Sequence, residues 1–168
     1  MRVVIIRHAI AEDRERFART GRPDSERPLT KKGRRKFRAA VPGLKAVVPT
    51  VDVLAASPYT RAQETLALAR RAYRKTRVET LADLAHGGSI IGIRSWLAKK
   101  KSGATIAVVG HEPDLSRLIA ALTGGRSGAL TLKKGGAAVI DFDGPPTRAG
   151  RLSALLPPSV LRDLADSV

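Results

Sequence analysis

The chain contains no cysteine. A disulfide scaffold, a thiolate zinc site and a cysteine nucleophile are therefore excluded. The absence fits a reducing compartment, and the cytoplasm is the expected location. Aromatic residues make up only 4% of the sequence, which leaves little for a base-stacking surface. Acidic residues are also scarce. Asp and Glu number 15 against 31 Lys and Arg, a formal charge of +16. That balance excludes an acidic solvating protein and makes polyanions the default partners. Long apolar runs are missing too, and none approaches the roughly 20 residues of a membrane span. Val3 to Ile6 is cut short by Arg7-His8, so Met1 to Ala11 does not read as a signal peptide.

What is present is a compact-protein composition. The chain has 168 residues, 43% of them hydrophobic, and the apolar residues fall in blocks. That is enough for one full core, so a single domain over residues 1–168 is expected. Val3–Ile6, Val51–Ala56 and Thr105–Val109 read as strands buried on both faces, and Arg77–Leu81 as a weaker one. Helices are expected between them. Thr30 caps a basic helix to about Ala40, ended by Pro42-Gly43, with a helical turn to Val48. Ser57 and Pro58 open a helix to Tyr73, with Ala62, Leu66 and Ala69 on one face. Further helices are expected over Ile90–Lys100 and Glu112–Leu122, the latter stopped by Gly124-Gly125. Ala129–Leu132 and Ala137–Phe142 read as a hairpin, followed by a strand at Arg151–Leu155 and a helix at Ser159–Ala165. The alternation predicts an α/β fold: a three-layer sandwich with a central, mainly parallel sheet flanked by helices.

In such sheets ligands bind beyond the C-terminal ends of the strands. Arg7 and His8 follow the first strand, Ser57 and then Arg61 the second, Gly110 and His111 the fourth. Each alone is an ordinary polar strand end. Together they bring cations, imidazoles and helix N-termini to one edge, where clustered arginines call for an anion. A phosphoryl group, with several oxygens and about two negative charges, fits.

Three blocks carry a family resemblance. Arg7-His8-Ala9, Ser57-Pro58-Tyr59-Thr60-Arg61-Ala62-Gln63-Glu64-Thr65 and Val109-Gly110-His111-Glu112-Pro113 resemble the signature blocks of the histidine phosphatase superfamily, with Ala9 where the family usually has glycine. Arg27-Pro28-Leu29-Thr30-Lys31-Lys32-Gly33 is similar to an element of its SixA-type phosphohistidine phosphatase branch. The resemblance implies a phosphoglycerate mutase-like fold and a metal-independent phosphatase without cofactor. It implies that His8 is the nucleophile and forms a phosphohistidine intermediate. It further implies that Arg7, Arg61 and His111 bind the phosphoryl oxygens. Ser57 is expected to cap its helix, with a hydrogen bond to phosphate as the alternative. Other branches carry a Glu after the third strand as general acid. Here only Asp83 and His86 stand in that region. A phosphohistidine substrate needs less acid assistance, because its nitrogen can be protonated before it leaves. The implied partner is a phosphorylated protein, such as a histidine-containing phosphotransfer domain, or a small phosphorylated molecule.

Other readings compete. His8, His86 and His111 are chemically able to hold zinc, but no close paired spacing occurs and arginines flank them, so no metal is expected. The runs Arg34-Arg35-Lys36, Arg70-Arg71, Lys99-Lys100-Lys101 and Lys133-Lys134 invite nucleic acid. They read as scattered, solvated faces, so nucleic acid is not the expected principal partner. A broad phosphatase for small molecules, nucleotides or polyphosphate would keep the same site.

Overall fold

The structure, a computed structural model, describes residues 1–167; Val168, the last position of the expected domain, lies outside the described residues. Its centre is a six-stranded sheet. The strands are β1 (Arg2–Arg7), β2 (Val53–Ala56), β3 (Arg77–Thr80), β4 (Thr105–Gly110), β5 (Ala137–Asp141) and β6 (Arg151–Leu156). Their order is β3-β2-β4-β1-β5-β6. The first four are parallel, and β5 and β6 add an antiparallel edge.

The helices are α1 (Arg14–Ala18), α2 (Lys31–Val47), α3 (Thr60–Arg70), α4 (Ile90–Ala98), α5 (Asp114–Thr123) and α6 (Pro158–Ala165). The sheet sorts its side chains by the two-residue period of a strand. Val4, Ile6, Leu54, Ala56, Ala107 and Val109 face one core with Phe37 and Leu44 of α2, Leu66 of α3 and Leu161 of α6. Val3, Ile5, Val53, Ala55, Ile106 and Val108 face the other, with Leu97 of α4 and Leu118 of α5. The continuous apolar strands thus have a covered face on each side, as a parallel sheet requires. This is the expected three-layer sandwich.

Some local expectations hold. The Thr30 hydroxyl accepts from the Gly33 N–H and caps α2, and Gly124 closes α5 in the left-handed region at φ 70°. Three need correction. Helix α2 does not stop at Pro42-Gly43 but runs on to Val47. Pro42 is exposed, so water can serve the carbonyl it frees, while Phe37, Ala40, Val41 and Leu44 remain buried on either side. Packing outweighs the roughly 3 kcal/mol that an interior proline costs. Gly43 is there because the Leu161 carbonyl of α6 lies where a Cβ would stand. Residues 129–132 form no strand, and β5 pairs instead with β1 and β6. Helix α3 starts at Thr60, and its N-cap residue Tyr59 makes no side-chain cap bond, so Ser57 is not the cap.

Candidate active site

The strand ends set the site. The His8 N–H donates to the Gly110 carbonyl at 3.0 Å and the Ser57 N–H to the Val109 carbonyl at 3.0 Å, so the segments leaving β1, β2 and β4 advance side by side. Thr65 joins them to α3: its hydroxyl accepts from the Ala9 N–H at 3.0 Å and donates to the Arg61 carbonyl at 2.7 Å. His8, Arg7, Ser57, Arg61, His111 and His86 are brought together at this edge. The His8 and His111 rings lie 5.1 Å apart, and those of His86 and His111 lie 4.5 Å apart.

His8 Nδ1 lies 2.7 Å from the Ala9 carbonyl. Only the Nδ1–H tautomer can bond a carbonyl, so Nε2 carries the free lone pair. Burial, opposed by that hydrogen bond and reinforced by Arg61, Arg7 and Arg27, pushes His8 down from 6.5 to about 3. Burial and the neighbouring cations push His111 down to about 2. Both imidazoles are therefore neutral at neutral pH.

Arg61 is fully buried. Its guanidinium donates to the Asp24 carbonyl at 2.8 Å and the Asp24 carboxylate at 3.0 Å, and lies over the Tyr59 ring at 4.9 Å. Arg7 donates to the Leu132 carbonyl at 2.6 Å. The same Leu132 peptide donates its N–H to Glu112 at 2.7 Å, so Glu112 fixes the acceptor that aims Arg7. Ser57 accepts from the Tyr59 N–H at 3.2 Å and lies 2.8 Å from His111 Nε2. With the Ser57 hydroxyl donating to Nε2, the His111 proton sits on Nδ1.

Among the described residues, three buried side-chain polar atoms have no partner: Arg7 Nε, Arg61 Nε and His111 Nδ1. All three belong to this one cluster. A buried donor left unpaired costs about 1–3 kcal/mol, so three together require an explanation. An anion with several acceptor oxygens supplies it.

The two candidate acids separate. Asp83 accepts from the Ser89 N–H at 3.4 Å and packs against Gly92 of α4, away from the histidines. His86 is in the cluster. Its Nε2 lies 3.1 Å from Arg61 Nη2 and its Nδ1 3.3 Å from an Asp114 carboxylate oxygen. Because arginine only donates, Nε2 accepts and Nδ1–H donates to Asp114. With Arg61 taking that lone pair, no three His, Asp or Glu side chains converge for a metal ion among the described residues.

Sequence reasoning missed Asp24, Asp114, Thr65 and Tyr59. Asp24 lies in a polar loop with no local pattern to mark it. Thr65 and Tyr59 stood inside a quoted block, and the block itself was the available signal.

The chain and its fold resemble known proteins. The family model described as histidine phosphatase superfamily (branch 1) matches residues 3–89. A curated relative from Picosynechococcus, described as an uncharacterized protein, is 31% identical over 139 residues, 81% of this chain and 82% of that one. The structure of the protein histidine phosphatase SixA complexed with tungstate superposes with a TM-score of 0.81 at 24% identity, covering 96% of this chain and 99% of that one. Phosphoglycerate mutase from Plasmodium falciparum superposes at 0.65 with 16% identity, covering 91% and 88%. A mycobacterial glucosyl-3-phosphoglycerate phosphatase superposes at 0.68 with 15% identity, covering 93% and 99%. The phosphoglycerate mutase-like fold follows from these matches.

Proposed function

We propose, because the chain belongs to the histidine phosphatase superfamily, that it is a phosphohistidine phosphatase working through a covalent intermediate on His8. The observation that carries the reading is the set of three buried, unpaired polar atoms beside a neutral imidazole. His8 Nε2 attacks phosphorus as the bond to the leaving nitrogen breaks. Arg7 Nε–H, Arg61 Nε–H and His111 Nδ1–H donate to the phosphoryl oxygens, where transition-state charge collects. As the phosphoryl oxygens draw the Arg61 Nη2–H away from His86 Nε2, that nitrogen takes up a proton and gives it to the leaving atom, with Asp114 accepting from Nδ1–H. Water then attacks the phosphorylated His8, gives its proton to His86, and releases phosphate as the His8 lone pair returns.

The substrate class has separate support. The likeness to SixA, described as a protein histidine phosphatase, supports phosphohistidine, and the tungstate held there, a tetrahedral oxyanion, supports a phosphoryl group. A second reading, a small phosphate ester, is favoured by the His86–Asp114 pair, because an alkoxide leaving group needs such an acid. An activity panel decides between them. Phosphohistidine peptide, phosphoserine peptide, a sugar phosphate and polyphosphate are compared on wild type and His8→Ala. The proposal expects the phosphohistidine peptide to give the highest kcat/KM, and His8→Ala to abolish it. A sugar phosphate turned over faster transfers the site to ester hydrolysis.

A further inference from the structure

Helices α2, α3 and α4 all end at the N-terminal edge of the parallel strands, opposite the histidines. There two of the four basic runs, Arg70-Arg71 and Lys99-Lys100-Lys101, come together. Lys45, Arg71, Arg74 and Lys75 line one cavity of about 670 Å³. Lys99 and Lys101 line a second, of about 520 Å³, and Asp52 lines both. All six cations are exposed, and none has an ion-pair partner among the described residues. The two carboxylates present are already engaged. Asp52 accepts from the Thr105 N–H at 2.8 Å. Glu79 is held by Trp96, Lys100 and Arg77.

Cations at helix C-termini have an ordinary role, since they offset the macrodipole. Each helix end presents about half a negative charge. Three ends and Asp52 therefore leave roughly three and a half positive charges uncompensated. Such an excess repels itself and is kept by an external anion of high charge density.

We propose that this end of the sheet binds the phosphodiester backbone of a single-stranded nucleic acid, at a site separate from the catalytic one. A strand carries a charge on every unit, and four cations line one cavity. The cavities are concave and suit a narrow strand. Neither nearby aromatic ring is free to stack on a base. Tyr73 is buried with its hydroxyl donating to the Val48 carbonyl at 2.8 Å, and the Lys100 ammonium lies over the Trp96 ring, 4.2 Å from its centre. Binding is thus to the backbone and independent of sequence. A strand seated here lies the length of β4 away from His8, roughly 20 Å at 3.3 Å per residue, so it is not the hydrolysed substrate.

The test is fluorescence anisotropy of a labelled oligouridylate titrated with protein at several salt concentrations. The variant Arg71→Gln, Arg74→Gln, Lys75→Gln, Lys101→Gln is compared with a control of equal charge, Lys31→Gln, Lys32→Gln, Arg35→Gln, Arg38→Gln, on the exposed face of α2. Circular dichroism melts check the fold of both. The first variant is expected to bind at least about tenfold more weakly, its salt slope falling by about 0.7 for each phosphate contact removed, with the control close to wild type. Equal weakening of both variants means diffuse attraction and overturns the proposal. So does displacement of the label by polyglutamate at equal charge. None of these residues touches the histidine cluster, so this result and that of the activity panel are independent.

Discussion

The two ends of the sheet both carry excess positive charge, but in opposite states. At the C-terminal end, Arg61 is fully buried and Arg7 half-buried, each donating to a backbone carbonyl, and the buried Nε–H of each has no partner. At the N-terminal end, Arg71, Arg74 and Lys75 are exposed and make no ion pair among the described residues. Rigid, desolvated donors select one anion geometry and act on a transition state. Exposed, flexible cations hold any dense anion and are screened by salt. Charge alone therefore says little about function; burial and pairing decide what a cation does.

The largest expected effect breaks the C-terminal end. Arg61→Ala removes a buried donor facing the developing charge, and kcat/KM for an aryl phosphate is expected to fall about a hundred- to a thousand-fold. A steady-state assay of the purified variant checks it. A smaller and more selective loss is expected for His86→Gln. Alkyl phosphate hydrolysis should fall by about a hundredfold or more, within the range for general acid catalysis, while an aryl phosphate with a good leaving group changes little. Equal losses on both substrates make His86 a positioning residue for Arg61 instead.

Stability against pH sharpens the comparison further. His8 and His111 titrate near 6.5 when unfolded but are pushed to about 3 and about 2 in the fold. Between those values the unfolded chain binds more protons, so folding stability is full above about pH 6.5 and falls as pH drops toward 3. His8→Gln should flatten that slope in thermal melts from pH 7 to 4. The smallest effect is on salt. Aryl phosphate turnover should change little between low and physiological salt, while oligouridylate binding falls steeply over the same range.

Much of this was legible from sequence. The β-branched strands, the Thr30 cap and the residues beyond each strand end announced a parallel sheet and a cluster of arginines and imidazoles at its edge. What escaped had tertiary causes. Residues 129–132 look like a strand because Leu130 and Leu132 alternate. In the fold, however, the Leu132 N–H and carbonyl are claimed by Glu112 and Arg7, not by a neighbouring strand. Pro42-Gly43 looks like a helix stop, and no local pattern shows that α6 crosses at Gly43. Ser57 looks like a cap because serine at a strand–helix junction usually is one; its partner, His111, is 54 residues away. Asp83 and His86 stood as alternatives by sequence, and only the path of the turn before α4 separates them.

The central claim is that His8 Nε2 carries the phosphoryl group between two half-reactions. Rapid quench of the enzyme during turnover of an aryl phosphate, under alkaline conditions that preserve phosphohistidine, followed by mass spectrometry of the digested chain, measures this directly. A phosphoryl group on the peptide containing His8, formed and lost at the rate of turnover and missing in His8→Ala, is the predicted result. Full turnover with no phosphorylated His8 at any time point would contradict it.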